Sequence, residues 1–323
     1  MAQRTAGLVL AMISAATFGT SGSFASALLG AGWSPGAVVL VRISVGALLL
    51  AVPTLISLRG RAQLVRASGG VTLVYGVVAV ALAQVCFFNA VAHVPVGVAL
   101  LLEYLGVVLV VAWMWLRHHH RPQRLTVAGT AVVLVGLSFV LDLYGGVRFD
   151  MVGVLWGLGA AVGLAGYFVL SARSVEALPP VATAGLGMAV GAVALALAGV
   201  SGVMPMRAHF GAVRFAGQHV SWLVPVAGLS VVAAAIAYVA GISAAVRLGP
   251  KLASFVGLTE VLFAVLFAWG LLGQLPTVGQ LFGGLLIIAG IVLVKADVPA
   301  APVAGTEAEP SEFAIEPLGV AGP

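Results

Sequence analysis

Ten apolar segments, at approximately 7–29, 35–57, 70–92, 96–116, 125–143, 151–172, 181–203, 221–244, 252–272 and 277–294, fill the chain almost from end to end. A helix needs about 20 apolar residues to cross the hydrocarbon core of a bilayer, and in lipid its backbone amides must be satisfied within the helix itself. Such a train of segments predicts an all-α integral membrane protein of ten transmembrane helices. Composition agrees, since 62% of the 323 residues are hydrophobic and 8% charged, against about 25% charged in soluble domains. The joints are short and carry turn residues, among them Gly32, Pro35, Pro179, Pro180, Gly249, Pro250 and Pro276. The first segment is longer than the apolar core of a secretory signal and recurs later in the chain, so it reads as retained. The single cysteine, Cys86, lies within a span, which leaves no disulfide framework.

The net charge of +5 is spread in small groups between the spans and reads as membrane orientation, with no nucleic-acid-binding face. Arg4, Arg59, Arg61, Arg66, Arg117, Arg121, Arg124, Arg173, Arg247, Lys251 and Lys295 fall on one side, and only Arg148, Arg207 and Arg214 on the other. The positive-inside rule therefore places both termini in the cytoplasm, with the protein in the inner membrane. After Lys295 the chain turns to proline, alanine and acid, so residues 297–323 are expected to be a disordered cytoplasmic tail.

The sequence repeats. An offset of 154 pairs Ala99 with Ala253, Trp115 with Trp269, Pro122 with Pro276, Gly129 with Gly283 and Gly136 with Gly290. Earlier in the chain Gly7 pairs with Gly153 and Pro35 with Pro180, at 146 and 145, and the connection 204–220 absorbs the change. Two five-helix halves result, 1–146 and 147–296. Five is odd, so the halves are expected to enter the membrane in opposite senses, the inverted repeat from which carriers build a midplane site.

Few polar groups interrupt the spans. A charge near a helix centre costs about 2.5–3.5 kcal/mol on the insertion scale, so Arg42, Glu103 and Glu260 each need a partner, a neutral state or a wet cavity. Counted inward along their helices, Arg42, Glu103, Gln84 and Ser21 reach one depth. Arg42 either grips a substrate carboxylate or forms an ion pair with Glu103 that locks two helices. Glu103 is then expected to stay charged. The mirror of Arg42 is Gly187, so Glu260 gains no arginine from the repeat and becomes the candidate for carrying protons, or else a permanently neutral, hydrogen-bonded group. Ser14, Thr17 and Ser21 share a helix face, which suits either a cavity lining or close packing. Phe88, one turn beyond Gln84, and Tyr238, the mirror of Gln84, are candidates for flanking an apolar part of a substrate. His118, His119 and His120 lack the spacing of a helical metal site and read as a solvated turn. No metal site, cofactor motif or nucleotide loop is found, which argues against a membrane enzyme.

The two five-helix halves, SPGAVVLVR with Arg42 seven residues after Pro35, LLEYLG around Glu103, and LTEVLFAVLFAWGLLGQLPTVGQLFGGLLIIAGIVLV from 258 onward resemble the drug/metabolite transporter superfamily, in its EamA-type ten-helix branch. LLEYLG is also similar to amino-acid exporters of the threonine/homoserine type. Val107 and Val261 stand where the family often has proline, and Phe18 where a tryptophan is common, so the fourth and ninth helices are expected to run without their kinks. The resemblance implies a secondary transporter exporting small organic metabolites, foremost amino acids or related zwitterions, by alternating access. Its partners would be the substrate, the bilayer and a proton or substrate gradient, with the protein a monomer or homodimer. A sugar-phosphate or nucleotide-sugar exchanger, a drug or quaternary-amine exchanger and a passive channel stay open as alternatives. A phosphate carrier would want two or more cavity cations where Arg42 alone qualifies.

Overall fold

The structure, a computed structural model, describes residues 2–91, 93–94, 96–118, 122–141, 150–173 and 178–296. Arg121, Arg148, His119, His120 and the tail 297–323 lie outside these residues. The helices are α1 (Ala2–Gly19), α2 (Ser21–Gly30), α3 (Pro35–Ser57), α4 (Ala62–Val74), α5 (Ala83–Val91), α6 (Val96–Tyr104), α7 (Gly106–His118), α8 (Arg124–Val140), α9 (Met151–Arg173), α10 (Pro180–Val200), α11 (Leu223–Ala227), α12 (Ala237–Gly257), α13 (Thr259–Leu272) and α14 (Val278–Ala296). π-Helical segments at Tyr75–Leu82 and Gly228–Ile236 join α4 to α5 and α11 to α12. Among the described residues eight helical stretches are long and apolar enough to span a membrane, and Arg124–Val140 and Thr259–Leu272 are shorter apolar helices. Large apolar side chains such as Leu48, Leu116 and Val200 cover the outside, a surface suited to lipid and too extensive for water.

Glycine sets the crossings. A Cβ on Gly136 would stand 2.7 Å from the Gly283 carbonyl oxygen, and one on Gly129 2.7 Å from that of Gly290. Seven residues forward on α8 are thus seven back on α14, and these repeat-related helices cross antiparallel. The repeat mates α3 and α10 also pack antiparallel, with Gly46 against Met188 and the Thr54 hydroxyl donating to the Val181 carbonyl at 3.3 Å. Further large contacts also join the halves, α1 packing on α12 and α9 on the π-segment and α5, while α9 packs on α12 within the second half. On α9, Gly153, Gly157, Gly159, Gly163 and Gly166 seat against Val94, Leu102, Cys86, Ala83 and Val78. Lipid gives no hydrophobic drive between helices, so this close approach is what holds them together.

Several sequence expectations change. The first span breaks at Thr20, where the Thr17 and Thr20 hydroxyls both bond back to carbonyls of the preceding turn, a known cause of helix bending. The fourth and ninth spans keep discontinuities at Leu105 and Leu258 although proline is absent. Packing replaces the ring: Gly106 lies against the Ala161 carbonyl and Gly257 against Phe168. Within α12 the chain turns at Gly249 (φ 75°), ahead of Pro250.

The connection before α11 holds a hairpin, β1 (Ala212–Phe215) paired antiparallel with β2 (Gln218–Ser221), through a turn with positive φ at Ala216 (49°) and Gly217 (77°). Two consecutive positive φ values match the right-handed twist of a two-residue hairpin. The Trp33 indole donates to the His209 carbonyl at 2.6 Å and the Ser34 hydroxyl to the Pro205 carbonyl at 2.7 Å, strapping this connection to the α2–α3 turn. At a neighbouring joint His93 meets Asp150 at 3.1 Å. The Val152 amide, and then His93, hold the Asp150 carboxyl below its ordinary range.

Gly136→Ala places a methyl against backbone on α14 and should destabilise by about 1–3 kcal/mol. Gly70→Ala, with nothing within 4 Å, should be neutral within about 0.5 kcal/mol. Thermal unfolding in detergent checks both, and equal melting temperatures would refute the crossing.

Candidate functional site

Between the halves lies a cavity of about 850 Å³. Its wall descends from exposed Gln274, Leu275 and Thr277 at one end of the bundle to Ser14, Tyr104 and Tyr238 in its middle. The site-residue candidates Ser21, Arg42, Gln84, Phe88, Glu103, Tyr238 and Glu260 all line it. Thr17 does not: its hydroxyl donates to Ile13 and Ser14 carbonyls of its own helix, and the cavity face of this span runs through Ser14, Phe18, Ser21 and Ala25, to one side of Thr17.

The repeat places these groups symmetrically. Gln84 and Tyr238 each stand two residues beyond a π-segment, and the 154 offset relates segments and residues alike. A π turn shifts the phase of the helix after it, and such insertions recur at functional sites. Glu103 and Glu260 sit beside the discontinuities at Leu105 and Leu258. Gly19 fits against the Glu260 carbonyl and Phe263, which brings the break in the first span down onto the start of α13.

The expected Arg42–Glu103 ion pair is absent. Among the described residues no carboxylate lies within 4 Å of the guanidinium; Arg42 donates instead to the Ala233 carbonyl, leaving Nε without a partner. The shape of the wall explains this, because Arg42 is drawn over the Phe18 ring, 5.6 Å from its centroid, a favourable cation–π position. Nor is Glu260 beyond the arginine's reach. Arg42 interacts electrostatically with Tyr238, Glu260 and Glu103, and the two glutamates interact with each other. The halves thus share one guanidinium between two carboxylates, where the repeat alone assigns it to Glu103.

An aromatic group floors the cavity. Phe18 and Tyr238 meet edge to face at 5.3 Å, and Tyr167 and Tyr238 at 5.6 Å. The sequence reading passed over Tyr167 and Tyr104. A signal for Tyr167 existed, since the 146 offset pairs it with Ser21. The buried Tyr167 hydroxyl lies beside the Ser14 hydroxyl and against Gly241. Together the wall offers one cation, two carboxylates, three amides, hydroxyls and aromatic faces, a surface able to hold a small molecule with both polar and apolar parts.

A multi-helix bundle with a mainly apolar cavity that carries a few charged and polar groups is the architecture of a small-molecule membrane transporter. The chain belongs to the EamA-like transporter family, within the drug/metabolite transporter superfamily, whose model matches residues 5–142 and 151–296. Proteins of this family are transporters and not enzymes. The chain is similar to the "Uncharacterized inner membrane transporter YicL" of Salmonella typhimurium (strain LT2), at 24% identity over 228 residues, covering 70% of this chain and 72% of that protein. A solved structure reported as "Crystal structure of protein" superposes with a TM-score of 0.74 at 19% identity, over 90% of this chain and 97% of the other, and so shares the fold.

Gly241→Ala puts a methyl into the Tyr167 hydroxyl and should lower the melting temperature. Adding Tyr167→Phe, which removes that hydroxyl, should recover most of the loss. Thermal unfolding of the single and double variants measures it, and additive effects would show that the two residues do not collide.

Proposed function

We propose that the protein is a secondary carrier of the inner membrane that exports amino acids or related zwitterions by alternating access. On this reading it has ten spans in two inverted five-helix halves, 1–146 and 147–296, and cytoplasmic termini. Supporting the inversion are the antiparallel crossings of the repeat mates α3 with α10 and α8 with α14. The observation that carries the substrate class is the guanidinium of Arg42, on the cavity wall without an ion-pair partner among the described residues and interacting electrostatically with two carboxylates. A zwitterion complements that set: its carboxylate takes the guanidinium, its ammonium a glutamate, and its side chain packs against Phe18, Phe88 and Tyr238. Ser21 and Gln84 supply neutral hydrogen bonds along the same wall.

Two carboxylates around one guanidinium leave one negative charge in excess. Either a proton or a substrate ammonium neutralises it, and groups so close titrate as one unit. Occupancy by one disfavours the other, which is the thermodynamic basis of proton-for-substrate exchange, and Glu260 is the proton-carrying candidate. The same two glutamates and aromatic floor support a second reading, an exchanger of organic cations. A sugar-phosphate carrier fits less well, since Arg42 is the only Lys or Arg among the described cavity residues.

Binding of amino acids, nucleosides and quaternary amines to the purified protein separates the readings. Amino acids should bind the wild type and lose at least about tenfold affinity in Arg42→Ala, in line with the loss of a charge-assisted bond. Binding only of compounds without a carboxylate would sink the amino-acid reading in favour of the organic-cation one. In proteoliposomes Glu260→Gln should keep counterflow and lose its response to an imposed proton gradient. An intact response would remove Glu260 from the coupling role.

A further inference from the structure

Each π-segment leaves one backbone carbonyl without its helical donor. At the end of Gly228–Ile236 the Ala237 amide donates to Val232, five residues back, and to Ala234, and so passes over Ala233, its acceptor in a regular α-helix. Arg42 supplies the missing donor, its guanidinium bonding to the Ala233 oxygen. At the end of Tyr75–Leu82 the Ala83 amide donates to Val78, again five residues back, and passes over Ala79. Ala79 is the mate of Ala233 by the 154 offset. The crossings around the two carbonyls match as well: Gly46 seats against Ala234 and the Ser230 carbonyl, and its mate Gly191 against Val80 and the Gly76 carbonyl.

What differs is the side chain that meets them. The mate of Arg42 is Gly187, which packs on the Tyr75 ring, and among the described residues no other side chain takes the arginine's place at Ala79. Ala79 is 4% exposed and lines the cavity with Arg42, Glu103 and Glu260. A buried carbonyl without a donor is rare in native interiors. We infer that the Ala79 carbonyl is a binding point for the passenger, taking an N–H of its ammonium as the Ala233 carbonyl takes an N–H of Arg42. An ammonium has three N–H donors, so one can meet a glutamate and another this oxygen. A lone carbonyl suits such a donor better than a metal ion, which wants several oxygens at once. The inference rests on the zwitterion reading and narrows it: the passenger's cation carries at least one N–H, which a quaternary amine lacks. Its carboxylate then lies at the arginine held by one π-segment and its ammonium at the carbonyl freed by the other.

Two binding comparisons test it. The first uses the wild type, with an amino acid that binds it and the N,N,N-trimethyl analogue of that amino acid, which keeps both charges and has no N–H. The analogue should bind at least about tenfold more weakly, as expected for loss of a charge-assisted bond. The second changes the backbone alone. Nonsense suppression installs the α-hydroxy analogue of valine at position 80, so that an ester carbonyl, a poorer acceptor, replaces the amide carbonyl of Ala79. The α-hydroxy analogue of alanine at position 81 weakens the Val80 carbonyl instead and controls for the ester itself. The amino acid should bind at least about threefold more weakly to the protein with the ester at 80 than to the one with the ester at 81. Equal affinities in either comparison would overturn the inference. Failure of the zwitterion reading looks different: no amino acid binds the wild type, or binding survives Arg42→Ala, whatever the esters do.

Discussion

Close backbone approach at glycine is the constraint on which the structure depends. In lipid, apolar side chains gain nothing by leaving one apolar surface for another, so helices associate through packing and local hydrogen bonds. Gly129 and Gly136 meet Gly290 and Gly283 at the α8–α14 crossing, and the glycines of α9 seat it against the third and fourth spans. Because α8 and α14 are repeat mates, each glycine serves a contact that the repeat duplicates. One short motif, copied, makes a crossing that is its own mirror image. The cavity is what lies between halves joined in this way.

The breaks in the spans follow from the same economy. A straight helix through the midplane presents only side chains to a cavity, whereas a discontinuity lets the next segment turn and present them at a new angle. Thr20, Leu105 and Leu258 mark such points and lie beside Ser21, Glu103 and Glu260. The π-segments precede Gln84 and Tyr238. Every one of those side chains is on the cavity wall. Proline is one way to obtain a break, and this chain obtains two of its breaks by seating Gly106 and Gly257 against a neighbour.

Much of the cavity wall was legible because a polar residue in an apolar span stands out. Arg42, Glu103, Glu260 and Gln84 are conspicuous for what they cost in lipid, and length and spacing expose the helices and their repeat. Tyr167 and Tyr104 were not legible from composition, since membrane aromatics mostly pack, though the repeat marks Tyr167 through Ser21. Thr17 was misplaced because spacing alone does not say where the edge of a lining face falls, and Phe18 takes the cavity position beside it. The hairpin escaped because four-residue strands around Ala216 and Gly217 carry no strong turn signal. The sharing of Arg42 had to come from three dimensions. Repeat arithmetic compares a residue with its mate, whereas electrostatics couples it to whatever the fold brings near, and the fold brings Glu260 of the other half.

That sharing bears on why the arginine has a single copy. Were the halves identical, a second guanidinium at position 187 would match the two carboxylates, and the cavity would be neutral without a passenger. Gly187 instead admits the ring of Tyr75, which needs the space that any side chain there would fill. Loss of symmetry at one position thus has two consequences: it leaves one guanidinium to two carboxylates in the cavity, and it makes room for the Tyr75 ring where a side chain would stand. On the proposed reading the first bears on selectivity, since a charge-balanced site has no preference for a cationic passenger.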